Sequence, residues 1–379
     1  MGNSLVYKLS PRVHKWGYKY STLGIFEKFL KEYGLSKHIE ENEWVAVKIH
    51  FGSEGAHRVI RPSFIQKTVA AIKEAKGKPF VTDTTRYLGP QALNFARWNG
   101  YTESSLEAPL ILADGAFGYD NVMVKGGKHQ EEIAIASAIY DVKCMFVLSH
   151  FKGHIQSGFG GAIKNLAMGC LSCNDREKKH EPCRGGIHAK KHGEMTWHED
   201  NCTHCNLCVD ICGMGALSFD DDDKLVIDKN LCFYCGRCAR VCEFEGLEFP
   251  IDEEYFNEAL SQAAKSVIDT FEEDKIVYIN FLHEIQPECD CMPLADVPFV
   301  QDQGILISTD PVAIDKASVD IINSAEPITE SVAGEKGAKK GDDILYIVNP
   351  ASNKLQIEYA EKFGMGSQSY EIKPWTLEE

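Results

Sequence analysis

The sequence predicts an α/β protein whose mostly parallel sheet is flanked by helices and interrupted by a small α+β segment. Short apolar runs alternate with helical patterns in both halves of the 379-residue chain, as in sheets built from strand–helix–strand units. A cysteine-rich stretch at 196–249 separates these halves. Neither half alone contains enough predicted strands to close a sheet. We therefore expect residues 1–195 and 250–379 to form one α/β domain that residues 196–249 interrupt.

Seven apolar runs rich in β-branched and aromatic residues are predicted to be strands, and six amphipathic segments between them are predicted to be helices. The strands are 44–49, 79–82, 109–113, 144–148, 276–281, 304–307 and 344–348. The helices are 62–76, 90–99, 162–168, 253–273, 310–323 and 352–364.

Since no GxGxxG follows the early strands, the sequence gives no support for a bound dinucleotide.

Charge and composition exclude several classes of function. The net charge of −16 argues against a nucleic-acid partner, because phosphate binding needs a basic face. The sequence has no apolar run of membrane-spanning length and begins without a secretory signal. We therefore expect a cytoplasmic protein with no membrane association. Fourteen cysteines in such a chain favour metal binding over disulfides.

The inserted segment contains a repeated cysteine motif. Residues 201–212 read NCTHCNLCVDIC, and 30 residues later 231–242 read LCFYCGRCARVC. Both have the spacing C-x2-C-x2-C-x3-C, in which three cysteines wrap three corners of a cubane cluster. Zinc is the alternative, although a zinc site usually takes two separated ligand pairs. The acidic run at 220–224 is interpreted as the solvated turn between the two halves of the repeat.

This spacing predicts a bacterial ferredoxin-like module with two [4Fe–4S] clusters. In two-cluster ferredoxins the fourth cysteine of each run binds the other cluster. One cluster is then held by Cys202, Cys205, Cys208 and Cys242, and the other by Cys232, Cys235, Cys238 and Cys212. Gly213 and Glu243 follow the fourth cysteines, where bacterial ferredoxins usually have proline.

Polar residues follow several predicted strands, where open α/β sheets bind their ligands. Asp310 is most simply a helix cap and Asp114 part of a turn. A glycine-rich stretch, SGFGGAIKN at 157–165, leads into a helix whose N-terminal amides could hold an anion. The alternative is a purely structural turn. The predicted catalytic residues are His150, Lys152, His154 and Lys164, and the predicted ligand-binding residues are Gly158, Gly160, Gly161, His50 and Asp83.

At these residues the sequence resembles the DUF362 family, whose members often carry an inserted ferredoxin module. The matching stretches include VAVKIHFG (45–52), KPFVTDTT (78–85), ECDCMP (288–293) and the long run that ends in GFGGAIKNLAMGC at 170. The resemblance covers roughly 45–325. It implies an iron–sulfur protein that has a non-ferredoxin domain in addition to the ferredoxin module. The HxxxH…GFGGxxK pattern is also faintly similar to part of the lactate racemase family, which binds an organometallic cofactor.

Six cysteines lie outside the repeat. Cys144 is predicted to be a buried strand residue, and Cys183 has no evident role. Cys170 and Cys173 form a CxxC pair, and Cys289 and Cys291 a CxC pair. The family pattern includes Cys170, Cys289 and Cys291. These thiols could bind a third iron–sulfur cluster or zinc; the alternative is reduced cysteines without a metal.

Two functions follow from these features. The first is an oxidoreductase in which the cysteine-rich module passes electrons to a small-molecule substrate at the strand ends. The second is a non-catalytic electron carrier, or an electron-transfer subunit of a larger redox complex. Both require redox partner proteins. The large α/β domain favours the enzyme, because a free electron carrier has no need of it. The sequence does not indicate the substrate or the oligomeric state.

Overall fold

The computed structural model describes residues 3–86, 89–172, 187, 195–212, 215–229, 231–232, 236–250, 252–292 and 295–376. The strands are β1 Ser4–Leu9, β2 Trp44–Lys48, β3 Lys78–Asp83, β4 Leu110–Leu112, β5 Asn121–Lys125, β6 Glu132–Ala136, β7 Cys144–His150, β8 Lys152–His154, β9 Gly158–Gly160, β10 Thr196–Trp197, β11 Leu217–Phe219, β12 Leu225–Ile227, β13 Leu247–Glu248, β14 Ile276–Leu282, β15 Gly304–Ser308 and β16 Tyr370–Trp375. The α-helices are α1 Thr22–Tyr33, α2 Pro62–Glu74, α3 Ala92–Trp98, α4 Glu103–Leu106, α5 Ser137–Tyr140, α6 Ala162–Gly169, α7 Leu207–Asp210, α8 Arg237–Arg240, α9 Glu253–Ile268, α10 Pro311–Asn323, α11 Val332–Glu335, α12 Ile344–Val348 and α13 Leu355–Lys362.

Eight strands form one mixed sheet in the order β16-β1-β15-β14-β7-β2-β3-β4. Strands β14, β7, β2, β3 and β4 are parallel to one another. Strand β15 is antiparallel to both β14 and β1, and β16 is parallel to β1. The prediction of a mostly parallel sheet flanked by helices is therefore confirmed. Strands on both sides of the cysteine-rich segment contribute to this one sheet.

The central strands are apolar on both faces, which explains their position. In β7, Met145 and Val147 pack into the core on one face, while Phe146 and Leu148 pack into the core on the other. A strand buried on both sides belongs in the middle of a sheet with helices on each face. Cys144 is buried at the start of this strand, as predicted, and burial raises the pKa of its thiol to about 12.

The prediction of a strand at 344–348 was wrong, because these residues form α12. Asp343 caps the helix by accepting a hydrogen bond from the backbone N–H of Tyr346 at 3.3 Å. Asn323 accepts another from the N–H of Ile344 at 3.1 Å. These capping interactions decide the structure of a short apolar run that suits helix and strand equally well. The sequence reading also missed β1, β16 and the β5–β6 hairpin.

The cysteine-rich segment has its own small core and a repeated structure. Helix α8 begins 30 residues after α7, and each follows a residue with a left-handed backbone conformation, Asn206 or Gly236. The two halves are joined by two antiparallel strand pairs, β10 with β13 and β11 with β12. The acidic run at 220–224 is the exposed turn of the β11–β12 hairpin, as predicted.

Within the described ranges, no helix is both long and apolar enough to cross a membrane.

Candidate functional site

A group of buried polar side chains lies at the carboxyl ends of the central parallel strands. We call it the strand-end cluster. It contains His50, Asp83, His150, Lys152, His154, Lys164, Cys289, Asp290 and Cys291. The first six were predicted from the sequence to be catalytic or ligand-binding residues, and Cys289 and Cys291 to be possible metal ligands. The fold brings these eight together. His50 and Cys291 are partly exposed, so the cluster reaches the protein surface at these two residues.

Asp290 is the fully buried anion at the centre of one part of the cluster. Its carboxylate lies 2.9 Å from Nδ1 of His150 and 2.9 Å from Nζ of Lys152. Nε2 of His150 lies 2.9 Å from the carbonyl oxygen of His283, so both ring nitrogens face acceptors. Burial opposes ionisation, but the charges of His150 and Lys152 hold the pKa of Asp290 well below its usual range. The three groups form a fixed charged unit.

Asp83 forms a second unit of the same kind at the end of β3. Lys48, itself buried, lies 3.0 Å from its carboxylate, and Nδ1 of His50 lies 3.7 Å away. The backbone N–H of Phe51 donates to the same carboxylate at 3.1 Å. Burial opposes ionisation, yet the neighbouring Lys48 and His50 lower the pKa of Asp83 to about 2.

His154 is a buried neutral imidazole whose tautomer is set by the backbone. Its Nδ1 accepts hydrogen bonds from the N–H groups of Gln156 and Ser157, at 3.2 and 3.1 Å. The ring proton is therefore on Nε2. Burial, and next the charge of Lys164, hold the pKa of His154 well below its usual range. The ring is thus a hydrogen-bond donor at neutral pH.

The two thiols of the CxC pair lie beside these charged groups. The ligating atoms of His154, Cys289 and Cys291 are all within 4.8 Å of one another. Nζ of Lys164 donates to Sγ of Cys289 at 3.6 Å, and the backbone N–H of Cys291 donates to the same sulfur at 3.5 Å. Burial lowers the pKa of His50, and the neighbouring Cys289 opposes this shift. The pKa of the Cys291 thiol is held well below its usual range, first by its hydrogen bond with Cys289 and then by nearby cations.

Two of the three glycines predicted to approach a ligand instead approach other parts of the protein. A Cβ on Gly161 would lie 2.4 Å from the carboxylate of Asp315, and one on Gly158 would lie 2.7 Å from the backbone of Asn353. Gly158 also has a φ of +71°, which favours glycine. Gly160 faces the strand-end cluster, because Cε of Lys152 lies 3.4 Å from its Cβ position.

The predicted anion site at the N-terminus of α6 is filled by the protein itself. The carboxylate of Asp315, on α10, accepts hydrogen bonds from the N–H groups of Ala162 and Ile163 at 2.8 and 2.9 Å. The expectation that these amides hold a ligand is therefore corrected.

The sulfur of Cys170 is not among the ligating atoms that gather at the CxC pair. This residue follows the last residue of α6, six residues beyond Lys164, which is about 9 Å along a helix axis. The three ligating atoms that come together in the described structure are those of His154, Cys289 and Cys291, without Cys170. Cys173 and Cys183 lie outside the described residues. A third centre formed by Cys170, Cys289 and Cys291 is thus not assembled in this arrangement.

The backbone of Cys291 connects the strand-end cluster to the cysteine-rich segment. Its carbonyl oxygen accepts hydrogen bonds from Ser53 at 2.9 Å, from Arg86 at 3.3 Å and from Arg237 at 2.5 Å. Arg240 forms an ion pair with Glu288. The sequence reading missed these arginines and Asp290. For Asp290 the one available signal was the ECDCMP stretch, whose third residue is an acid between two cysteines.

Four cysteines of the repeat line one cavity in the cysteine-rich segment. They are Cys202, Cys205, Cys208 and Cys242, which the spacing assigns to one cluster. Of the other predicted set, Cys232 and Cys238 are in the core of the segment, Cys212 packs against it, and Cys235 lies outside the described residues. At equivalent positions of the repeat, Sγ of Cys212 and Sγ of Cys242 accept backbone hydrogen bonds, at 3.3 and 3.1 Å.

The fold and these sites define a class: an α/β protein with buried thiols and charges at its strand ends and a second, cysteine-rich unit. The chain belongs to the family described as domain of unknown function (DUF362), whose model matches residues 45–320. This match confirms the family resemblance seen in the sequence. None of the curated proteins compared with the chain matches it.

Two solved structures are similar to parts of the chain. The lactate racemase apoprotein of Thermoanaerobacterium thermosaccharolyticum is 9% identical, and the match covers 73% of this chain and 50% of that one, with a TM-score of 0.37. A protein of Thermotoga maritima is 7% identical, with 92% and 61% covered and a TM-score of 0.40. The chain thus spans half to three fifths of the length of these two proteins.

Proposed function

We propose that this protein is an iron–sulfur oxidoreductase. Residues 196–249 bind two [4Fe–4S] clusters as a ferredoxin-like module, and the α/β domain binds a small substrate at the strand-end cluster. The single observation that carries the proposal is the contact between α8 and the CxC loop. Arg237 and Arg240, which flank the predicted cluster ligand Cys238, bind the carbonyl of Cys291 and the side chain of Glu288.

The donor set of the module suits clusters better than zinc. Tetrahedral zinc bonds of about 2.3 Å bring thiolate sulfurs to about 3.8 Å from each other. Among the described residues, no three of the module's sulfurs lie within 4.8 Å of one another. A cubane separates its corner ligands more widely than a single ion does. The N–H groups that donate to Cys212 and Cys242 also fit, because such hydrogen bonds tune cluster potentials.

When bound, each cluster supplies or accepts one electron. The chain's own residues determine what reacts at the strand ends. The side chains of Lys152 and Lys164 lie beside Gly160, at 3.4 and 3.7 Å from its Cβ position, and Lys152 is also paired with Asp290. Arg86 adds a third cation within hydrogen-bond reach of the CxC loop. These three cations favour an anionic substrate. His154 donates from Nε2 and orients the bound group.

The test measures electron delivery to a substrate. Protein purified without oxygen is reduced with dithionite, excess reductant is removed, and reoxidation is followed by visible absorbance. The oxidants are an oxidised viologen and a panel of small anionic carbonyl compounds and disulfides. We expect at least one panel member to reoxidise wild type faster than the His154→Ala variant, with viologen acting equally on both. His14→Ala, an exposed site, is the control and should match wild type.

Two outcomes would contradict the proposal. Protein without iron would overturn the module's assignment. Protein with iron that reacts identically with every oxidant in all three forms would support the alternative, an electron carrier or a subunit of a larger redox complex. Equal iron content in wild type and the His154→Ala variant shows that the substitution acts at the strand ends and not on the clusters.

A further inference from the structure

We propose that Cys289 and Cys291 are a redox-active dithiol that closes to a disulfide and reopens. The two sulfurs are within 4.8 Å of each other and one residue apart in the sequence. Cys289 is buried and Cys291 is partly exposed. One thiol is thus protected by the protein, and the other is accessible to a reaction partner.

Two donors converge on the sulfur of Cys289. They are Nζ of Lys164 at 3.6 Å and the backbone N–H of Cys291 at 3.5 Å. The hydrogen bond from the Lys164 ammonium is charge-assisted, so it stabilises the reduced form of this sulfur. The thiolate is the form that attacks and leaves in thiol–disulfide exchange.

The surroundings suit a dithiol better than a metal ion. His154 completes the set of three ligating atoms, but its Nδ1 is occupied by two backbone N–H groups and its Nε2 carries the proton. A metal-binding histidine normally has the opposite arrangement, with its second nitrogen donating to an acceptor. The nearest carboxylate in sequence, Asp290, is already paired with His150 and Lys152. Lys164 would repel a dication at the sulfurs.

The reaction balances in electrons and protons. Reduction breaks the S–S bond between Cys289 and Cys291, takes up two electrons and two protons, and gives two thiols. The electrons come either from a low-potential one-electron donor that reacts twice or from an external dithiol by exchange. Oxidation reverses the step and passes the electron pair to a bound disulfide or another two-electron acceptor.

The inference deepens the proposed function, because it gives the strand ends a two-electron group of their own. The thiol chemistry does not depend on iron. The two proposals can therefore fail separately. The redox titration tests the dithiol, and iron analysis of the same sample tests whether the module binds clusters.

The experiment is a redox titration read by mass spectrometry. Full-length protein is equilibrated without oxygen in buffers of reduced and oxidised dithiothreitol, quenched in acid, alkylated with N-ethylmaleimide under denaturing conditions and digested with trypsin. The peptide 276–316 contains Cys289 and Cys291 and no other cysteine. We expect it to change from two adducts to none, with the thiol-to-disulfide ratio changing tenfold for about every 30 mV. The peptide 144–152, with the buried Cys144, should keep its adduct throughout.

A variant tests the role of the neighbouring cation. Lys164→Met removes a donor to the Cys289 sulfur, so the disulfide should become favoured by about tenfold at a fixed buffer ratio. Lys143→Met, with a mostly exposed side chain, should not shift the ratio. The inference is overturned if peptide 276–316 carries two adducts in every buffer. It is also overturned if Cys289→Ser/Cys291→Ser protein loses a bound iron or zinc that wild type holds.

Discussion

Two buried aspartates, Asp83 and Asp290, each lie beside a lysine and a histidine at the strand ends. Asp83 is close to Lys48 and His50, and Asp290 is close to Lys152 and His150. Each unit combines opposite charges in a site from which water is largely excluded. Removing one partner from such a pair leaves an uncompensated charge and is strongly destabilising. We infer that the two units hold the strand ends rigid around the CxC pair.

The Asp83→Asn substitution should lower the free energy of unfolding by about 3 kcal/mol, because it leaves Lys48 buried without its anion. Since the pKa of Asp83 is lowered to about 2, its contribution is complete above pH 4 and is lost as the pH falls towards 2. Urea unfolding between pH 7 and pH 3 measures both effects. The free energy of unfolding of the variant should fall less than that of wild type over that range.

The control is Asp221→Asn, at an exposed turn, which should behave as wild type. The account would be contradicted if the Asp83→Asn protein lost as much stability in acid as wild type does.

Sequence reasoning identified the residues of the cluster that directly follow strands. His50 and His150 could be found because parallel strands end at one edge of a sheet. Asp290 and Arg86 could not, because they come from loops whose positions depend on the folded sheet. The role of Gly161 was also misjudged: a glycine signals close approach, but the sequence does not say whether a ligand or Asp315 approaches.

Helix α6 depends on a cap from another element. Asp315 lies on α10, and its carboxylate binds the first two N–H groups of α6 and the amide of Asn280 at 2.8 Å. Burial raises the pKa of Asp315 to about 6, although these hydrogen bonds favour the charged form. The cap fixes the start of the helix that carries Lys164.

The Asp315→Asn substitution should destabilise the protein by about 1–2 kcal/mol, because an amide N–H₂ would face a backbone N–H at the start of α6. Thermal unfolding measures this loss. Hydrogen exchange at Ala162 and Ile163 should accelerate as well. Glu330→Gln, at an exposed position, is the control. Unchanged exchange at α6 in the Asp315→Asn protein would show that the cap is not needed.

Among the helices and strands, long periodic segments were predictable from the sequence and short ones were not. Helices α2 and α10 lie within one or two residues of their predicted bounds, because each has a full amphipathic pattern and a proline at its first position. The five-residue α12 was taken for a strand, since its apolar run has no periodicity and its caps, Asn323 among them, are partly remote in sequence.

The whole molecule brings its two units together at the CxC loop. Helix α8 of the cysteine-rich segment contributes both Arg237 and Arg240 to this contact. The loop is also held from the α/β side, where Asn349 donates to the carbonyl of Pro287 at 2.5 Å. The contact therefore joins the helix that carries Cys238 to the loop that carries Cys289 and Cys291.

Weakening this contact should loosen the loop without removing iron. We expect the Arg240→Gln substitution to speed hydrogen exchange in 286–292 about fivefold, for a partly exposed ion pair worth about 1 kcal/mol. Exchange mass spectrometry and iron analysis of the same preparation measure the two effects. Arg97→Gln, which alters an exposed contact on α3, is the matched control. Loss of iron in the Arg240→Gln protein would mean that the arginine supports the module itself.

The central claim is that the cysteine-rich segment carries two clusters beside the strand-end thiols, and metal content tests it most directly. Protein prepared without oxygen should contain about eight irons and eight acid-labile sulfides per chain, with visible absorbance that bleaches on reduction. Cys205→Ser should lose about half of the iron, and Cys289→Ser/Cys291→Ser should lose none. Zinc in place of iron in the wild-type protein, or iron that survives intact in the Cys205→Ser protein, would contradict the account.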